Sequence, residues 1–128
     1  MAIDKNDVHG FFEDYGSTLQ ARDAKKIARH WATPSFVVSD QGGLSVKDAS
    51  EVEAFFSASM SQYDGVAEAE ATITDVVQLT ENVVAVQVEW EHKDHEGATV
   101  GGERGFYMLT KNDDGRLTIS VYAPRSEA

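Results

Sequence analysis

The chain has 128 residues, enough for one hydrophobic core and too few for two. Its 22 acidic residues against 11 basic ones give a net charge of −11, which argues against the clustered Lys and Arg of a nucleic-acid surface. With no cysteine, it has no disulfide, thiolate nucleophile or thiolate metal site.

The first segment, MAIDKNDVHG, lacks the basic and apolar regions of a secretion signal. No apolar run approaches the ~18 residues of a membrane span. A cytoplasmic location with no membrane contact is therefore expected. Over residues 7–21, Val8, Phe11, Phe12, Tyr15 and Leu19 recur at helical spacing, with Asp4 or Asn6 as the cap. Gly10 and Gly16 interrupt this helix, where each costs about 1 kcal/mol relative to Ala. Gly16, beside Tyr15, is a place where another element can approach closely.

Asp23 caps a predicted second helix over 24–32, with Ile27, Ala28 and Trp31 as its apolar stripe. Pro34 disfavours helical geometry at Thr33 and ends it. Residues 35–39, SFVVS, read as a short strand; Asp40-Gln41-Gly42-Gly43 is a turn, and 44–46 returns as a second strand. Asp48 caps a third helix, with Glu51 as its capping-box partner. Val52, Phe55, Phe56, Ser59, Met60 and Tyr63 form the stripe expected to be buried, and Asp64-Gly65 closes the helix.

From Val66 the period changes to two, predicting strands at 67–79, 82–93, 98–111 and 116–123 joined by hairpin turns. The second of these puts Val84, Val86, Val88, Trp90 and His92 on one face. The third is apolar on both faces, with Tyr107 and Leu109 against Phe106 and Met108. A face bearing Phe106 and Met108 calls for a cover, most simply a second copy of the chain in a homodimer. Gly101, Gly102 and Gly105 let this strand curve. Residues 1–128 thus read as a single α+β domain, three N-terminal helices packed on a strongly curved antiparallel or mixed sheet. Such a sheet, closed by helices at one end, leaves a cavity at the other.

This element order resembles the nuclear-transport-factor-2-like superfamily, the cone-shaped cystatin-like fold. The likeness is carried by FFEDYGSTLQARDAKKIARHWA, PSFVVSDQGG, VEAFFSASM and GFYML with DGRLTISVY, and covers nearly the whole chain. The chain is most similar to small bacterial members of unknown function. The superfamily includes ketosteroid isomerases, SnoaL-type polyketide cyclases, limonene epoxide hydrolase, dehydratases and binding-only proteins, among which fold does not choose. The isomerase likeness implies Tyr15 as hydrogen-bond donor and Asp40 as catalytic base. An ungapped match puts Ser39 at the base position and Asp40 one residue later, and the family's second acid falls near Gly105, which has no side chain; Glu103 and Arg104 flank it but do not match.

Other chemistry is weakly supported by the residues. His92 and His95 flank Lys93-Asp94, but they lie on opposite faces near a hairpin tip, so a solvated turn is expected and no metal site. No His has a Ser or Cys partner at triad spacing. Glu89 and Glu91 are out of phase with Trp90, and Arg104 reads as a surface ion-pair residue. No dinucleotide or phosphate-cradling loop occurs, and no cofactor is expected. What remains is an aromatic set large for a core of this size. The expected pocket is lined by Tyr15, Trp31, Phe36, Val38, Phe56, Met60, Trp90, His92 and Tyr107, while Phe11, Leu19 and Phe55 pack. It suits a small apolar organic molecule.

Overall fold

The computed structural model describes residues 3–39, 42–59 and 65–124. Helix α1 spans Lys5–Ala21; Asp4 accepts from the Asn6 N–H at 2.8 Å and so caps it. Asp23 caps the short α2, Ala24–Ala28, by accepting from the Lys25 and Lys26 N–H groups. This helix ends four residues earlier than its periodicity predicts. The His30 carbonyl accepts from the Ile119 N–H at 2.7 Å, and Trp31 pairs in register with Ile119. Trp31 therefore opens strand β1, Trp31–Ser39, and does not complete a helical stripe. Pro34 lies within β1, where pairing with the neighbouring strand lapses between Trp31 and Phe36.

Strand β2 covers Gly42–Val46 and helix α3 covers Ala49–Ser59. Asp48 accepts from the Glu51 N–H at 3.0 Å, and the Glu51 carboxylate accepts from the Lys47 N–H at 2.9 Å. That is a capping box reaching one residue further back than expected. Val52 and Phe56 are buried, but Phe55 is 41% exposed and does not join the core. Met60 and Tyr63 of the predicted stripe, Asp64 and the base candidate Asp40 lie outside the described residues.

The long strands are β3 Glu68–Thr80, β4 Val83–Lys93, β5 Thr99–Lys111 and β6 Leu117–Pro124. With β1 and β2 they form one sheet in the order β2-β1-β6-β5-β4-β3. Only β1 and β6 run parallel; the other four neighbouring pairs are antiparallel. The fold is thus α+β, with helices packed on a six-stranded sheet. The inner face of β4 alternates as expected, with Val84, Val86, Val88, Trp90 and His92 all buried. Phe12 and Ile27 from the helices meet Leu109 and Ile119 from the sheet in the same core. Each such buried side chain contributes about 1.5–3 kcal/mol.

Gly16 explains how α1 sits so close. A Cβ there would lie 2.8 Å from the Ala69 carbonyl oxygen and 3.4 Å from the Trp90 ring. Gln20, one turn on, accepts from the Ala69 N–H at 3.1 Å. The helix is therefore seated on the β3 backbone itself.

The outer face is divided. One part carries Phe106, Phe36, Val38 and Val77, each between 46% and 47% exposed. The other carries ion pairs: Arg104 with Glu89 at 3.3 Å, and Lys93 with Glu70 at 3.4 Å and with Glu91 at 3.3 Å. Arg104 is thus an exposed ion-pair residue, as its sequence context suggests. Phe36 and Val38 are a correction to the expected pocket wall. Ser35 and Val37 take the inward phase of β1, and pairing of Phe36 with Val121 puts Phe36 on the opposite side from Tyr122.

Candidate functional site

Two tryptophans and three tyrosines meet on the inner face. The Trp31 Nε1–H donates to the Tyr15 hydroxyl at 3.1 Å, joining β1 to α1. The Trp90 Nε1–H donates to the Tyr107 hydroxyl at 3.0 Å, joining β4 to β5. Tyr107 and Tyr122 are paired across β5 and β6, with ring centroids 4.7 Å apart. Tyr15 lies 6.0 Å from Trp90, and Trp31 6.4 Å from Tyr122, centroid to centroid. A phenol oxygen that accepts an indole N–H keeps its own proton for donation. Burial pushes the Tyr107 phenol well above its ordinary 10.0, and the nearby Tyr15, Tyr122 and Glu103 push it further. Tyr107 is therefore a neutral donor across the physiological range.

Glu103 is the residue that sequence reasoning passed over. It stands opposite Trp90 in the register, in phase with Tyr107 and Leu109. Burial raises its carboxyl above the ordinary 4.5, and a hydrogen bond with Tyr122 offsets part of the rise. Burial thus favours the neutral form of this carboxyl more than solvent would. The signal was present in the sequence, since Glu103, Gly105, Tyr107 and Leu109 alternate along one strand. Gly105, where the family's acid was expected, has a different task. A Cβ there would meet Tyr122 Cε1 at 2.7 Å, so its absence lets the Tyr122 ring lie against β5.

The remaining predicted residues divide. Tyr15, Trp31, Trp90, Tyr107 and His92 are buried together, and burial lowers the His92 imidazole below its ordinary 6.5. Phe56 packs on Trp31 with centroids 5.9 Å apart. The notch between these two and Val37, Val46, Val52 and Phe55 holds only about 10 Å³, far below the size of a small-molecule site. This side of the aromatic set is packed and not hollow. Phe36 and Val38 are on the outer face, as described. His95 lies beyond β4 in the turn, and no group of three or more His, Asp or Glu among the described residues is placed to hold a metal. No helix among them is long and apolar enough to cross a membrane.

Comparison with known proteins adds a family and a set of folds. The model of a family described as NTF2-like protein (DUF6841) matches residues 5–126. No curated protein matches the chain. Among solved structures, a domain of unknown function with a cystatin-like fold from Nostoc punctiforme superposes with a TM-score of 0.74 at 15% identity, over 98% of this chain and 78% of that one. An NTF-2 like protein of unknown function from Shewanella oneidensis gives 0.72 at 14% identity, over 95% and 98%. A ketosteroid isomerase-like protein from Erwinia carotovora atroseptica gives 0.66 at 13% identity, over 93% and 94%. Likenesses at this identity establish the fold alone.

Proposed function

This chain belongs to the NTF2-like protein family DUF6841, and on that premise we propose that it binds a small, largely apolar organic molecule through a hydrogen-bond-accepting oxygen. The observation that carries this reading is the pair of buried phenols, Tyr15 and Tyr107, each accepting an indole N–H among aromatic rings, with Glu103 opposite Trp90 in the register. Phenol donors set among aromatic rings favour a carbonyl-type oxygen on an apolar body. We assign the lining to Tyr15, Trp31, Trp90, His92 and Tyr107, with Glu103 and Tyr122 added.

The chain has only two tryptophans, and both indoles donate to tyrosine hydroxyls of this centre. Their two indole N–H resonances report on it directly. Cyclohexanone is expected to move both resonances saturably, and cyclohexylammonium, a ring of similar size that only donates, to leave them in place. The reading fails if neither probe moves them or both do so equally. Tyr107→Phe tests the assigned donor, since it removes only the hydroxyl and is expected to weaken cyclohexanone binding.

A catalytic form of this reading makes the chain an isomerase, cyclase or dehydratase, with Asp40 as base and Tyr15 as donor. Tyr15's hydrogen bond from Trp31 supports the donor half. Loss of ketone α-proton exchange in Asp40→Asn, with ketone binding intact, is the expected signature; exchange that persists removes Asp40 from the role.

The exposed Phe36, Val38, Val77 and Phe106 support a second reading, a homodimer formed through the outer face of the sheet. Sedimentation is expected to give a dimer that Phe106→Lys converts to monomer. A wild-type monomer at the same concentration overturns it.

A further inference from the structure

The structure has a concavity lined by none of the phenol-centre residues. It measures about 520 Å³ and opens between the first half of α1 and the β5–β6 turn. That is within the range of small-molecule sites. Its walls carry opposite charge: Asp7, Glu13 and Asp14 stand on α1, and Lys111 and Arg116 on the turn side. No ion pair among the described residues joins the two walls. Between them is an apolar floor of Ile3, Phe11 and Leu117. Phe11 is braced from below, 5.1 Å from Phe12 and 6.1 Å from Tyr15, centroid to centroid.

Gly10 supplies an independent observation. It sits mid-helix on the acidic wall, where alanine forms a better helix. A Cβ added there would meet nothing within 4 Å, so no packed neighbour requires glycine. Its φ is not among the positive ones, so backbone conformation does not require it either. What glycine achieves at this position is a wall free of side chain, and hence an open cleft.

We propose that this cleft binds a zwitterion of amino-acid size with an apolar side group. Its ammonium lies towards Asp7 and Asp14, its carboxylate towards Arg116, and its side group rests on Phe11 and Leu117. A simple cation satisfies one wall only. A simple anion satisfies the other and must also approach a chain of net charge −11. A zwitterion matches both walls and leaves neither charge unpaired, and Arg116 offers a carboxylate a forked pair of donors.

The test is an amide NMR titration of the full chain with L-leucine and L-phenylalanine. The controls are 3-phenylpropionate, which has only the carboxylate, and 2-phenylethylammonium, which has only the ammonium. At least one amino acid is expected to shift the Gly10, Gly115 and Leu117 amides saturably. Each control is expected to bind about tenfold more weakly, the loss of one charge-assisted contact. Gly10→Leu fills the cleft and Arg116→Glu reverses one wall; each is expected to abolish the shifts. Arg116 is exposed, so its variant remains readable if Gly10→Leu does not fold. Glu103→Gln is expected to leave amino-acid binding unchanged, which separates this site from the phenol centre. The proposal is overturned if neither amino acid binds, if 2-phenylethylammonium binds as well as they do, or if binding survives Arg116→Glu.

Discussion

Two Gly→Ala substitutions on one helix should differ in outcome, one stabilising and the other not. In a helix interior the exchange gains about 1 kcal/mol from reduced backbone freedom in the unfolded chain and better helix propensity. At Gly10 nothing offsets that gain, because the new methyl meets no atom within 4 Å. At Gly16 the methyl would stand 2.8 Å from the Ala69 carbonyl oxygen, a backbone atom in β3 that cannot rotate aside. Forcing an extra carbon into such a contact costs about 1–3 kcal/mol. Gly10→Ala is therefore expected to stabilise by about 1 kcal/mol, and Gly16→Ala to range from neutral to about 2 kcal/mol destabilising. Urea unfolding followed by tryptophan emission measures both, provided the slope m is unchanged. Equal stabilisation by the two variants would refute the seating of α1 on the β3 backbone. Destabilisation by Gly10→Ala would mean that the wall of the α1 cleft is filled in the native state.

The remaining predictions concern the phenol centre. Tyr15→Phe removes the acceptor of the buried Trp31 N–H and should cost about 1–3 kcal/mol, less when Trp31→Phe is already present; a double-mutant cycle by urea unfolding checks the coupling. Because the folded state raises the Glu103 carboxyl above 4.5, folding takes up protons there, and this residue's contribution to stability falls as pH rises from 4.5 through the folded value. Glu103→Gln should therefore match wild type in acid and become relatively more stable above pH 4.5; a constant difference across that range contradicts the assignment. His92 runs the other way. Its imidazole is lowered by burial, so its contribution is complete above pH 6.5 and is lost as pH falls from 6.5 through the folded value. A His92 resonance that titrates at or above 6.5 would show that the ring is not desolvated.

Much of the architecture was legible because local chemistry and tertiary packing agree. Asp4, Asp23 and Asp48 cap the three helices where their sequence positions suggest, and β4 buries the predicted set of alternate residues. The failures occur where a distant partner decides. Trp31 left the predicted helix because it pairs with Ile119, a strand that lies 88 positions later and has no trace in the local pattern. In β1 both phases are apolar, Phe36 and Val38 against Val37, so alternation did not choose the inward one. Phe55 and Phe56 posed the same problem on α3, and only Phe56 is buried. Glu103 was within reach of the sequence by strand parity with Tyr107. It was passed over because the expected acid fell on Gly105, which the structure uses to admit the Tyr122 ring.

The last strand of the chain is not at the rim of the sheet. β6 lies between β1 and β5, and among the described residues it alone pairs the β1–β2 ribbon with the long antiparallel strands. During synthesis the β3–β4–β5 meander can assemble as it leaves the ribosome, but β1 and β2 have no berth until Leu117–Pro124 emerges. Pairing across that length of sequence is slow, and it leaves the early hairpin with unsatisfied edges for most of translation. Removing β6 would therefore split the protein through its middle and not merely shorten it.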